Sequence, residues 1–199
     1  MELGEAIRQR RMTRDFSDRP VPPETVDRLL DRARRAPSAG NTQGWSFLVL
    51  EGADQTGRFW AAGAEPEWLA DQDLPGVLRA PVVVVPFCSK KAYLDRYSEP
   101  DKAAHGLTAA ERWPAPFWIV DVSFATMLLL LGAVEEGLGA LFFGVRGDHE
   151  RLRAEFSVPA EWEPIGAVAL GWRVGDGGPG GSASRGRKAI DDLVHRGRW

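Results

Sequence analysis

The chain opens on alternating apolar and charged positions, and residues 2–11 of MELGEAIRQRR predict a helix that ends in a basic cluster. Pro20, Pro22 and Pro23 break it. Glu24 then starts a second helix, ETVDRLLDRARRA, with Val26, Leu29, Leu30 and Ala33 spaced to share one face. The loop APSAGNTQGWSF ends that helix and runs into a strand, WSFLVLEG. Residues 52–80 read as a helix with loops. APVVVVPFC reads as a strand buried on both faces, because four consecutive valines leave no polar side. Residues 89–116 read as irregular and are rich in Trp, Tyr and Pro.

VSFATMLLLLGAV, residues 122–134, predicts a helix that is apolar all round. At that length it is too short for a bilayer, and charges flank it, so no membrane partner is expected. Burial against a second copy of the chain is the expected solution, which implies a homodimer. ALFFG then reads as a short strand, DHERLRAEF as a helix and PIGAVALGW as another buried strand. Residues 174–187 hold six glycines and read as a mobile surface segment. The elements lack a strict strand–helix–strand rhythm. The expected fold is a single α+β domain over residues 1–199, a sheet packed by helices.

Composition narrows the function classes. The 199 residues carry a net charge of −3, which gives no general affinity for nucleic acid. The single cysteine, Cys88, closes an apolar run and reads as a buried thiol, and a cytoplasmic location fits. His105, His149 and His195 share no metal-ligand spacing. Neither GxGxxG after a strand nor GxxxxGK[ST] occurs.

Two basic groups remain. Arg8, Arg10, Arg11 and Arg14 lie at one end, and Arg185, Arg187 and Lys188 at the other. Each group reads either as a solvated face or as an anion clamp, since guanidinium offers a rigid donor fork matched to phosphate. In WPAPFW, residues 113–118, the aromatics read as a core or dimer contact, with a ligand-stacking wall as the alternative.

Four stretches in order, RQRRMTRDF, APSAGNTQGWSF, EEGLGALFFG and RGRKAIDDLVHRGRW, resemble the flavin-dependent nitroreductase family. The resemblance covers almost the whole chain and is strongest to small nitroreductase-like proteins of high-GC bacteria. It implies a nitroreductase-like α+β fold, with a central antiparallel-type sheet flanked by helices. It also implies a domain-swapped homodimer with two FMN molecules at the interface. By that resemblance, Arg10 and Arg187, with Arg185, grip the FMN phosphate. Arg11 and Met12 line the ribityl chain, and Arg14 lies near the pyrimidine edge. Pro37, Ser38, Asn41 and Gln43 reach the flavin from the partner chain. The Gly144 N–H points at N5, with Phe143 beside the ring. Many members have Ser where this chain has Met12 and Pro where it has Gly44, which would loosen the loop. The implied activity is hydride transfer from NADH or NADPH through FMN to a nitroaromatic, quinone or similar small acceptor. The alternatives are a relative that uses F420 or consumes its flavin, and a flavin-binding sensor or carrier. A nucleic-acid module is disfavoured by the charge balance.

Overall fold

A computed structural model describes residues 1–65, 67, 75–175 and 185–199; most of the Gly-rich 174–187 segment therefore lies outside the described residues. The elements run α1 (Leu3–Gln9), α2 (Pro23–Ala33), β1 (Trp45–Glu51), α3 (Gly52–Gly63), α4 (Pro75–Leu78), β2 (Val82–Cys88), α5 (Lys90–Arg96), α6 (Phe117–Glu135), β3 (Gly139–Phe143), α7 (His149–Glu155), β4 (Glu163–Pro164) and β5 (Ala167–Gly171). The sheet order is β1-β2-β5-β3, every pairing antiparallel, with β4 paired to the end of β2.

The valine run explains the layers. Successive strand residues face opposite sides. Val83, Val85 and Phe87 therefore enter one core with Phe59, Trp60 and Leu152 from α3 and α7. Val82 and Val84 enter the other with Leu29, Ala33, Leu129 and Ala133 from α2 and α6. Cys88 ends this strand buried, and burial pushes its thiol up to about 11.

Three expectations change. Residues 90–96, expected to be irregular, form α5, because the Ser89 side chain caps it by accepting from the Ala92 N–H at 3.2 Å. The apolar helix is 19 residues long, not 13, because Phe117 to Val120 continue it back to Pro116; by length and composition it could cross a membrane. Half of its most apolar window is buried inside the fold, so packing rather than length is the argument for a core helix. Its end is tied to α2 by Glu136, which accepts from Arg28 and Arg32, both at 2.8 Å.

α6 is not enclosed by its own chain. Ile119, Phe124 and Met127 stay exposed on it, as do Leu3 and Ile7 on α1, which packs against α6.

Candidate functional site

The basic segment is held by its backbone. The Arg10 N–H closes α1 on the Ala6 carbonyl at 2.9 Å, and the chain then turns away from helical geometry. Met12 forms a parallel bridge with Ala140, so this segment flanks β3, and the Thr13 N–H donates to the Ala140 carbonyl at 2.9 Å. The approach needs glycine. A Cβ on Gly139 would lie 2.7 Å from Thr13 Oγ1, and one on Gly76 would lie 2.6 Å from the Arg14 carbonyl. Arg79 adds a bond from Nε to the Phe16 carbonyl at 3.0 Å and pairs with Asp15.

On this fixed backbone the arginines differ. Arg11 and Arg14 are exposed. Arg11 folds back on the Arg8 and Arg10 carbonyls, and Arg14 reaches only the Met12 carbonyl at 3.5 Å. Arg10 is half-buried, and its Nη1 is sealed from solvent with no hydrogen-bond partner among the described residues. A buried donor without an acceptor costs about 1–3 kcal/mol, more when charged. What this atom lacks is a hydrogen-bond acceptor, and a guanidinium fork is matched to an anionic one.

The loop before β1 is built differently. Gly40, Asn41 and Gln43 have φ of 61°, 53° and 51°, left-handed geometry that non-glycine residues rarely adopt. Inside the loop, Ser38 Oγ accepts from the Gln43 N–H at 2.9 Å, and Gln43 Nε2 donates to Asn41 Oδ1 at 3.2 Å. From outside, Asp121 Oδ2 accepts from the Ala39 N–H at 2.8 Å, and Arg96 Nε donates to the Gly40 carbonyl at 3.0 Å. Pro37, Asn41 and Gln43 are left exposed, and Ser38 half-buried. The expectation that Gly44 loosens this loop is overturned. A Cβ there would stand 2.4 Å from the Tyr93 ring, and the Gly44 carbonyl accepts from the Ser89 N–H at 3.0 Å. The missing side chain lets the ring close on the loop.

Phe143 ends β3, stacked on Trp60 with centroids 5.4 Å apart and 20° between planes. Gly144 follows it, exposed, with space where a Cβ would be. Arg185 and Arg187 are exposed, as is every residue of 185–199, including Ile190, Leu193, Val194 and Trp199.

The structure thus brings Arg10, Arg11, Met12, Arg14, Phe143 and Gly144 to the β3 edge of the sheet. It leaves Pro37, Ser38, Asn41 and Gln43 at the start of β1, the opposite edge. Three strand spacings separate these edges, roughly 14 Å at about 4.8 Å each. Within one chain the two groups therefore stand on opposite edges of the sheet, with β2 and β5 between β1 and β3.

Sequence reasoning missed Asp121, Tyr93 and Arg96, which hold the loop. The one available signal was Asp121, a lone acid in an apolar helix. It is 2% exposed. The aromatic stretch closes on the same place: Trp113 meets Tyr97 at 4.6 Å and Tyr93 at 5.8 Å between centroids. No metal-binding cluster occurs among the described residues.

Comparison with known proteins agrees with this architecture. A protein of Methanothermobacter thermautotrophicus, provisionally named an NADH dehydrogenase/NAD(P)H nitroreductase, is 28% identical over 203 residues, covering 100% of this chain and 88% of its own length. The 5,6-dimethylbenzimidazole synthase of Rhodospirillum rubrum is 31% identical over 183 residues, covering 85% and 81%. Among solved structures, iodotyrosine deiodinase bound to FMN and 3-iodo-L-tyrosine superposes with a TM-score of 0.70 at 21% identity, covering 100% of both chains. Residues 7–172 match the Nitroreductase family, and the chain belongs to that family of oxidoreductases.

Proposed function

We propose that the protein is an FMN-dependent oxidoreductase that takes hydride from NADH or NADPH and delivers reducing equivalents to a nitroaromatic, a quinone or a similar acceptor. It works as a homodimer whose two sites each draw on both chains. The observation that carries the reading is Arg10 Nη1, a sealed guanidinium nitrogen without an acceptor among the described residues. The FMN phosphate, roughly −1.5 to −2 charges at neutral pH, is an acceptor of the right chemistry. Bound FMN would supply the redox chemistry, a hydride exchange between nicotinamide and acceptor that no side chain here could carry.

The chain's own residues bind and orient. Arg10 holds the phosphate, joined by Arg187 and Arg185 once the C-terminal segment is placed by assembly. Arg11 and Met12 lie along the ribityl chain and Arg14 at the pyrimidine edge. The exposed Asn41 amide, a donor and an acceptor in one group, suits the polar edge of the ring, with Pro37, Ser38 and Gln43 shaping the loop around it. Phe143 flanks the ring, and the open backbone at Gly144 offers its N–H.

Two features support assembly from two chains: the basic segment and the loop sit on opposite sheet edges, and apolar side chains stay exposed on α1, α6 and 185–199. The fold likeness to a deiodinase crystallised with FMN supports the cofactor, and the name of the Methanothermobacter relative supports the nicotinamide.

The test is a spectrum. The purified protein, supplied with FMN, is expected to be yellow, to bleach anaerobically with NADH or NADPH, and to recover colour with a nitroaromatic or quinone. A colourless protein that takes up no FMN contradicts the proposal. A second reading, in which reduced flavin is itself consumed, is favoured by the 31% identical relative named for making 5,6-dimethylbenzimidazole, a ring that resembles the dimethylated end of flavin. Release of that compound from reduced FMN in air, followed by mass spectrometry, would distinguish it.

A further inference from the structure

We propose that Asp121, with Tyr93, is a positioning residue that sets the conformation of the loop 38–43 and so the grip on the flavin ring. This rests on the FMN reading above. Asp121 lies on α6, 82 residues from the loop residue it binds and 28 from Tyr93. Its Oδ2 accepts both the Ala39 N–H and the Tyr93 hydroxyl, each at 2.8 Å. The carboxylate is 2% exposed and Tyr93 is 0% exposed. A charged group so deep in an apolar helix is costly unless donors surround it. Here both donors recorded at Oδ2 belong to, or pack against, the loop.

The loop needs holding. Three of its residues occupy left-handed geometry, two of them not glycine. Strain of this kind persists only where surrounding contacts over-determine it, and it concentrates at ligand-binding sites. The contacts converge from one side. Asp121 fixes Ala39, Arg96 fixes the Gly40 carbonyl, and the Tyr97 ring fills the space where a Gly40 Cβ would stand, at 2.8 Å. The Tyr93 ring does the same at Gly44. Arg96 is itself held by Glu99 at 2.9 Å and by Asp101 at 2.7 and 2.8 Å. Burial, reinforced by the bond to Asp121, pushes the Tyr93 hydroxyl well above its ordinary range, so it stays a donor.

Asp121 also joins two functions on one helix. It faces inward, while Ile119, Phe124 and Met127 on the same helix are exposed. The face that would meet a partner chain and the carboxylate that shapes the loop therefore move as one rigid element. Arg10 acts at the phosphate end of the ligand; Asp121 acts, through the loop, at the ring end.

That separation gives the test. Equilibrium binding of FMN and of riboflavin, which lacks the phosphate, is measured for the wild type, Asp121→Asn, Tyr93→Phe and Arg10→Ala. Asp121→Asn is expected to raise the Kd of both ligands by the same factor, about tenfold, from the loss of a charge-assisted bond. Tyr93→Phe is expected to raise both by a smaller common factor. The visible circular dichroism of bound flavin is expected to change in both variants. Arg10→Ala is expected to weaken FMN and leave riboflavin unchanged. A purely structural Asp121 would lower thermal stability without touching riboflavin affinity or the dichroism, and that result overturns the proposal. Loss confined to FMN overturns it as well. If Asp121→Asn does not fold, Tyr93→Phe removes one hydroxyl alone, and wild-type riboflavin binding by it overturns the proposal. A wild type that binds neither flavin overturns the FMN reading itself, and this proposal with it.

Discussion

Two arginine-rich regions, residues 8–14 and 185–198, look alike in composition and behave differently in the fold. The first is built. Its backbone is bonded to β3, backed by glycines at 76 and 139, and it carries a guanidinium nitrogen sealed from water. The second is uncommitted, with every residue from 185 to 199 exposed, four of them large and apolar. Exposed Ile190, Leu193, Val194 and Trp199 in one short segment form the apolar surface that the proposed dimer would cover. The difference shows how far one chain goes. It completes the sealed Arg10 donor and the loop, and on the proposed reading a second copy would supply the rest.

Removing residues 185–199 bears hardest on that contrast. The dimer is expected to dissociate at micromolar concentration and FMN retention to fall with it, followed by sedimentation and absorbance. A truncated protein that stays dimeric and yellow would make the second region a solvated tail. Next is Arg10→Ala, expected to weaken FMN binding about a hundredfold while thermal stability stays close to wild type, or about 2.8 kcal/mol at 1.4 per decade. Unchanged occupancy would mean the sealed nitrogen has another purpose. Smaller is Gly44→Ala, which drives a methyl into the Tyr93 ring. Overpacking of this kind costs about 1–3 kcal/mol, read as a lowered Tm. The smallest effect concerns pH. The hydrogen bond from Arg96 holds the Asp101 carboxyl down at about 2. A depressed carboxyl contributes stability above its unfolded range and loses it as pH falls through the folded value. The wild type is therefore expected to lose Tm more steeply than Asp101→Asn on acidification from pH ~4 to ~2, and parallel curves would dissociate Asp101 from the Arg96 support of the loop.

Much of this was legible before any coordinates. Four valines in a row specify a strand with a core on each side, and the structure places Val82 and Val84 against α2 and α6, and Val83 and Val85 opposite. The apolar helix was legible as a core element, because its residues have no polar face, and its expected second copy remains part of the proposal. What stayed hidden depended on distant contacts. Nothing near Gly44 reveals that Tyr93 closes on it, so a tight contact read as looseness. The helix α5 is only seven residues long and precedes an irregular stretch broken by Pro100, Pro114 and Pro116, and only Ser89 marked its start. Asp121 read as a charge next to an apolar run, since its partners come from elements 28 and 82 residues away. The parallel bridge of Met12 to Ala140 leaves no periodic trace, yet it is what puts the arginines beside β3.

The central claim is that each site combines the basic segment of one chain with the loop of the other. Hybrid dimers test it most directly. Chains carrying Arg10→Ala are mixed with chains carrying Ser38→Ala and Asn41→Ala, each defective alone, at an FMN concentration that fills only wild-type sites. In a hybrid, one site collects every defect and the other none. One tightly bound FMN per hybrid dimer is expected, with reduction by NADH or NADPH restored at that site. Hybrids that bind no more FMN than either parent would contradict it.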